Sequence, residues 1–411
     1  MKTDWDVIVV GGGPAGFFAA IRCAELNPSL NVLILEKATQ TLGKVIVSGG
    51  GRCNVTHACF DPARLVAFYP RGGNELRGAF ARFQPRDTIA WFETRGVKLK
   101  TEADGRIFPV TDDSNTIADC LRSAAKSAGV EVWGHARLGR VDRNQDESFQ
   151  LTTQTLRDVF TRLRAGKLLL ATGSDRKTLA IVKLLGHTVV DPVPSLFTFN
   201  VRDERIKGLE GVSVASVSLK MDSLSTQGAL LITHWGLSGP AVLRLSAWGA
   251  REFYGMNYRA ELTINWLDNY SFDKALDVLQ RNKAWKENAR KKLSSHAAFS
   301  QIPARLWKRL VDFIGDKNWA DVSKEEVRKL AKELTAGTFT IQSKGVFKEE
   351  FVTCGGVNLK EVDFKTMQSR IVKGLFFAGE VLDIDGVTGG FNFQSSWTTG
   401  WIAGSAMGAP G

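Results

Sequence analysis

Asp6-Val7-Ile8-Val9-Val10-Gly11-Gly12-Gly13-Pro14-Ala15-Gly16 is the stretch whose reading decides the fold. The run from Val7 to Val10 is apolar and β-branched, the composition of a strand buried on both faces. It feeds straight into G-x-G-x-x-G at Gly11, Gly13 and Gly16, and Phe17 to Leu26 reads as a helix. A second apolar strand, Val32 to Leu35, ends at Glu36. Each part has its own job. Gly11 permits a tight turn, Gly13 lets backbone approach a pyrophosphate, and Gly16 lets helix pack close to strand. Pro14 suits a first helical turn, where its missing N–H costs nothing; with Ala15 it belongs to the candidate cofactor-binding turn. The helix start offers unpaired N–H groups to phosphates. Glu36 stands where a carboxylate can accept from ribose hydroxyls. Strand, turn, helix, strand and acid in this order predict a βαβ unit that holds an adenine dinucleotide.

The 411 residues suffice for two or three domains, and 44% hydrophobic with 24% charged residues is ordinary for a globular protein. No run is long and apolar enough to span a bilayer. The stretch from Val7 to Ala20 carries the glycine fingerprint and follows Asp4 and Asp6, so it reads as structure and not as a secretory signal. Cys23, Cys53, Cys59, Cys120 and Cys354 are scattered, with no C-x-x-C pair. That pattern predicts a reducing, cytoplasmic setting and no disulfide framework. The five histidines are dispersed too, and no metal site is expected. The formal charge of +11 favours anionic partners. No basic stretch interleaves with aromatics as in a recognisable nucleic-acid reader, so the charge reads first as a bias toward a polyanionic cofactor.

Up to about residue 192, strand-like and helix-like segments alternate, including Val130 to Trp133 and Lys167 to Gly173. Lys44 to Asn54 reads as a loop-rich segment. Between residues 193 and 270 the texture becomes β, as in Val212 to Leu219 and Ala260 to Trp266. Residues 271–335 read as a helical insert, with a capping box at Ser323 and Glu326. Strand character returns near Phe339, so 193–270 with 336–350 are expected as one β domain. The end of the chain is glycine-rich again: Gly374-Leu375-Phe376-Phe377-Ala378-Gly379-Glu380 reads as an apolar strand ending in Gly and an acid, followed by Asp383-Ile384-Asp385-Gly386 and Thr388-Gly389-Gly390-Phe391-Asn392, then a helix-compatible stretch from Ser395 to Met407. Glycines just before a helix again make a place for anionic oxygens.

The pairing of the N-terminal glycine unit with this L-F-F-A-G-E segment resembles the two-part FAD site of glutathione-reductase-type flavoproteins. With Ser48-Gly49-Gly50-Gly51-Arg52-Cys53-Asn54-Val55-Thr56 and Thr233-His234-Trp235-Gly236-Leu237-Ser238-Gly239-Pro240, the whole chain resembles the BaiN-like family of NAD(P)/FAD-dependent oxidoreductases, also labelled aminoacetone-oxidase-like. The resemblance implies an α/β, Rossmann-like FAD-binding domain built from both chain ends, residues 1–192 and 351–411, with β-barrel-like and helical domains inserted. It assigns Gly11, Gly13, Gly16 and Glu36 to the ADP half of FAD. Glu380, after Gly379, belongs to the ribityl or pyrophosphate region. Lys44, Gly50, Gly51, Arg52, Cys53 and Asn54, with Gly389, Gly390, Phe391 and Asn392, belong near the isoalloxazine, and Asp385 is a further cofactor-binding candidate. Ala171-Thr172-Gly173 matches the A-T-G that ends a strand beside the cofactor.

Flavin carries redox chemistry while protein supplies position and polarity. Backbone N–H groups of Gly389 and Gly390, with Asn392, are candidates to stabilise reduced flavin. Cys53 and Cys59 sit where disulfide reductases carry a redox pair, one residue further apart than usual. Cys53 is therefore one catalytic candidate, and His234 is the other, as a proton donor. Arg52 could hold an anionic substrate or the FAD phosphates. No second G-x-G-x-x-G follows a later strand, so either NAD(P)H binds transiently over the flavin or another donor serves. The expectation is an FAD-dependent oxidoreductase acting on a small organic substrate. Two rivals remain. One is an RNA-binding flavoprotein that supports nucleotide modification, using basic stretches such as Arg281 to Lys286 and Arg290 to Lys292. The other is a non-enzymatic flavin redox sensor.

Overall fold

The computed structural model describes residues 2–154, 160–268, 270–345 and 352–409. The chain divides into two compact units, Met1–Pro192 with Thr353–Gly411, and Val193–Val352. The expected boundary between residues 350 and 351 lies outside the described residues.

Both chain ends build the first unit around a nine-stranded sheet. Its centre is parallel, in the order Leu375–Phe377, Phe160–Leu170, Asp4–Val10, Val32–Leu35 and Glu131–Trp133. Val7 to Val10 are buried, as a strand covered on both faces requires. The register has one consequence for everything that follows. Val10 is level with Leu35 on one side and Leu170 on the other, and Leu170 is level with Phe377. Gly11, Glu36, Ala171 and Ala378 therefore leave the sheet at one carboxyl edge. From the central strand the chain continues to one neighbour while a much later segment fills the other side. That is the switch point where open α/β sheets bind ligands.

Two helices pack on each other with almost nothing between their backbones. They are Pro14–Leu26 and the C-terminal Phe391–Gly408. Side chains added at Gly400, Gly404 and Gly408 would strike the carbonyls of Ala15, Ala19 and Cys23 at 2.6, 2.3 and 2.7 Å. Both series advance by four residues, so the helices run parallel and meet along one ridge. Glycine is costly inside a helix; here it permits the close approach.

Two local expectations are corrected. Lys44 to Asn54 is not all loop: Gly43–Gly51 is helical, broken at Ser48, Gly49 and Gly50, where the dihedrals leave the helical region. The strand after Gly374 spans only Leu375–Phe377, and Gly379–Val381 forms a 3-10 turn.

In the second unit six strands close an antiparallel barrel, in the order Phe199–Val201, Gly236–Ser238, Leu224–Thr233, Ser213–Met221, Ala260–Asn265 and Gly337–Lys344. The helices Phe272–Ala284, Ala304–Leu310 and Lys324–Ala336 share its core. Leu262, Ile264 and Phe339 from the barrel belong to the same buried cluster as Leu279, Trp307 and Leu334 from the helices. The capping box is formed: Ser323 Oγ accepts from the Glu326 N–H, and the Glu326 carboxylate accepts from the Ser323 N–H.

Candidate active site

At the carboxyl edge of the sheet, Gly11 turns the chain with φ +111°, and a Cβ there would lie 2.3 Å from the Ala171 carbonyl. Only glycine fits. The helix that follows starts at Gly13 with no side chain capping it, and a Cβ on Gly13 would meet nothing within 4 Å. Its free N–H groups and partial positive charge form a ready anion site. Glu36 is held by two backbone donors, the Gly12 N–H at 2.7 Å and the Ala38 N–H at 2.8 Å. A narrow cleft between Gly11, Glu36, Leu138 and Thr172 continues from there. Thr172 Oγ1 is buried with no hydrogen-bond partner among the described residues. A buried hydroxyl without a partner is costly, and in this cleft a polar ligand would satisfy it. The glycines, the uncapped helix and this hydroxyl fit the diphosphate and ribose of a dinucleotide. Gly173 stands beside two facing side chains, Lys44 and Glu380, which form an ion pair.

The second helix start is displaced from the first. Since Gly400 lies over Ala15, Phe391 begins its helix about 12 Å further out at ~1.5 Å per residue. Its N-cap, Gly390, has φ +92°, and a Cβ there would meet the Thr56 carbonyl at 2.6 Å. With its amide oxygen toward Gly390, Asn54 accepts from that N–H at 2.9 Å and donates to the Thr56 carbonyl. Below it, the Thr56 and Thr88 hydroxyls donate to Gln394 Oε1, and Gln394 donates onward to Thr398. All four are buried. Phe391 stacks with His57, at 4.7 Å, and with Phe68, at 4.3 Å, and those two rings are themselves 5.9 Å apart. Its carbonyl accepts from the buried Tyr69 hydroxyl at 2.6 Å. Asn392 grips both the N–H and the carbonyl of Gly386 at 2.8 Å. Just before it, Asp385 is fully buried and paired with Arg71.

The structure thus brings Gly11, Gly13, Pro14, Ala15, Glu36, Ala171, Thr172, Gly173, Lys44, Gly379 and Glu380 to one edge. Gly389, Gly390, Phe391, Asn392, Asn54 and Asp385 cluster around the second helix start. Other candidates are placed differently. Gly50 and Gly51 are exposed. Arg52 lies over the Phe108 ring at 4.0 Å and pairs with Glu102 at 2.7 Å, so its charge is already engaged. Cys53 and Cys59 are free thiols. Burial pushes the Cys53 thiol up to about 12, which keeps it protonated at neutral pH, the reverse of what a redox nucleophile needs. His234 is in the second unit, its side chain 83% exposed, with Nδ1 3.9 Å from Glu210. No group of three or more His, Cys, Asp or Glu able to hold a metal exists among the described residues. There too, no helix is long and apolar enough to cross a membrane.

Sequence reading missed Phe68, Tyr69, Arg71, Thr88 and Gln394. None belongs to a motif, and their roles arise from contacts across 300 or more residues in several cases, as with Tyr69 to Phe391.

Comparison with known proteins agrees with this architecture. The family model described as HI0933-like protein Rossmann domain matches residues 5–406. The chain belongs to that family. Among its relatives is a Haemophilus influenzae protein named ribosomal RNA dihydrouridine synthase, 28% identical and aligned over 96% of both chains. Another, from Clostridium scindens, is named 3-dehydro-bile acid delta(4,6)-reductase; it is 25% identical, over 97% of this chain and 98% of its own. A solved structure of the same fold is the 3-ketosteroid-delta4-(5alpha)-dehydrogenase of Rhodococcus jostii, with TM-score 0.56 and 14% identity, covering 99% of this chain and 97% of that one. The fold is a Rossmann-type FAD-binding domain with a six-stranded barrel.

Proposed function

We propose that this protein is an FAD-dependent oxidoreductase that reduces a carbon–carbon double bond conjugated to a carbonyl. The observation that carries the reading is the pair of staggered helix starts, Gly13-Pro14 and Gly390-Phe391, each opened by glycine. The first, with Glu36 and Thr172, would hold the diphosphate and ribose of FAD. The second, fixed by Asn54 and Gln394, would face the flavin end and favour negative charge there. Lys44 and Glu380 would lie along the span between them. When bound, FAD supplies transfer of a hydride equivalent, and a proton completes the saturated product. The names of two full-length relatives support the acceptor chemistry: a uracil base and a dienone both present an activated double bond.

Burial of its thiol argues against a nucleophilic part for Cys53. Gly389, Gly390 and Asn392 act through backbone and positioning. NAD(P)H is the proposed donor, bound without a second Rossmann unit. A second reading, that the acceptor is a pyrimidine within RNA, is favoured by the charge of +11 and by the Haemophilus relative's name. The test is anaerobic mixing of the purified yellow protein with NADH and NADPH, followed by reoxidation with an enone or with an unmodified ribosomal RNA fragment. Bleaching of the visible flavin band by one nucleotide, and its recovery with one acceptor class, is expected. Protein that neither carries nor takes up flavin overturns the reading.

A further inference from the structure

A larger cavity lies in the first unit, away from the glycine edge. It measures about 680 Å³, within the ~300–1,000 Å³ of small-molecule sites. One wall is the helix Gly73–Phe80 and its extension to Arg82; the other is the segment from Leu359 to Arg370. The floor is apolar, from Ala79, Leu359 and Val362, with the half-exposed ring of Phe364 beside it. Cations dominate the rim. Arg82 reaches across and donates to the Lys365 carbonyl, joining the walls. Arg370 donates to the Val362 carbonyl at 3.3 Å and lies 3.5 Å from Asp363. Lys360 and Lys365 are exposed, and no carboxylate lies within ion-pair distance of either among the described residues. Against these four cations stand the carboxylates of Glu75 and Asp363, the latter committed to Arg370.

This is an arrangement with a specific chemical complement. An apolar floor with an aromatic edge accepts a planar ring, and uncompensated ammonium groups above it attract an anion. Lysines bind phosphate as point charges, and the remaining nitrogens of Arg82 and Arg370 add directed donors. The cavity also abuts the redox end of the unit. Leu359 in its floor lies 3.3 Å from where a Cβ on Gly72 would stand, and that same Cβ would strike Ile384, the neighbour of Asp385, at 2.5 Å.

We propose that this cleft binds the phosphate and base of a nucleotide, positioning a nucleotide donor or acceptor beside the flavin site. The inference rests on the oxidoreductase reading for its purpose, but its test does not. Binding of NADPH, NADH and a short oligouridylate to the flavin-loaded protein is titrated by protein fluorescence, then repeated with the double variant Lys360→Gln/Lys365→Gln. At least tenfold weaker binding of one probe is expected, with a shallower dependence on salt. Flavin content and reduction by dithionite should not change. Weakening for the dinucleotides alone identifies a donor site; weakening for the oligonucleotide alone identifies an RNA site. Wild-type protein that binds none of the three, or variants within twofold of wild type for all, overturns the proposal. Should the double variant fold poorly, competition by pyrophosphate on the wild type decides: no displacement overturns it. Absence of flavin would sink the oxidoreductase reading while leaving these titrations interpretable.

Discussion

The two helix starts do similar work by opposite means. At Gly13 everything needed comes from the immediate sequence: glycine turn, Pro14, a helix start with no side-chain cap, and Glu36 one strand later. At Gly390 almost nothing is local. Asn54, Thr56, Tyr69 and Thr88 reach it from the other end of the chain and hold it through hydrogen bonds and stacked rings. The first start is left bare, as the proposed diphosphate site requires. The second is fenced, so that one face of its first turn is fixed before any ligand arrives. Deleting neighbouring side chains should therefore cost little at the bare start and much at the fenced one.

The largest effect should come from adding a side chain at the bare start. A Cβ on Gly16 would lie 2.0 Å from the Gly11 carbonyl and 3.2 Å from Val9. Backbone cannot yield there without breaking the strand–helix turn. Gly16→Val should give protein with almost no bound flavin and a loss of stability above the ~1–3 kcal/mol usual for overpacking. Flavin-to-protein absorbance ratio and thermal melting measure both. Normal flavin content would break the comparison.

At the fenced start, deletion should hurt most. Asp385 is wholly buried and compensates Arg71. Asp385→Ala removes the buried carboxylate that pairs with a largely buried guanidinium, at a cost of roughly 3–5 kcal/mol. Asp385→Ala with Arg71→Leu should recover part of that loss, because the buried positive charge goes with it. Denaturant titration of the single and double variants reads the difference. Equal stability of the two would show that the pair matters for something other than charge balance.

The same contrast explains what was legible in the sequence. Residues 6–36 could be read because strand, turn, helix and acid follow one another within one βαβ unit. The pairing of the chain's two ends was legible only through resemblance. Within the C-terminal helix, Gly400, Gly404 and Gly408 argue locally against a helix, and only their contacts with Ala15, Ala19 and Cys23 explain them. Tyr69 and Gln394 lie in unremarkable segments; no spacing links them to Phe391 or Thr56 before the chain folds. Cys53 illustrates the converse. Its position suggested chemistry, while its burial, invisible in sequence, holds the thiol protonated.

A smaller effect separates ligand from scaffold at the bare start. Thr172 Oγ1 is buried without a partner among the described residues. Thr172→Val keeps the shape and removes the hydroxyl. Flavin-free protein should be unchanged or about 1 kcal/mol more stable. Flavin affinity should fall about tenfold, the equivalent of ~1.4 kcal/mol. Apoprotein melting and flavin titration give the two numbers independently. Loss of stability without loss of affinity would move Thr172 from the ligand's side of the comparison to the scaffold's.

The smallest effect concerns His187, at the far edge of the same sheet. Its Nδ1 is 3.0 Å from Glu361, and the Ser369 hydroxyl is 2.9 Å from Nε2. Ser369 Oγ already accepts from the Ile371 and Val372 N–H groups, so its proton points to the imidazole and Nε2 must accept. A protonated ring would turn a second donor toward that oxygen. Burial lowers His187 below the ordinary 6.5, with Glu361 opposing only in part. The sign follows. The unfolded chain takes up the proton first, so the stability that neutral His187 contributes is complete above about 6.5 and drains away as pH falls below it toward the folded value. Melting temperature measured from pH 7.5 to 5.5 should therefore decline, and His187→Gln, which cannot titrate, should decline less steeply from a lower start. An unchanged slope in His187→Gln would assign the acid sensitivity to other groups. It would also leave Glu361, Ser369 and their backbone partners as sufficient to hold this edge of the sheet without a neutral ring.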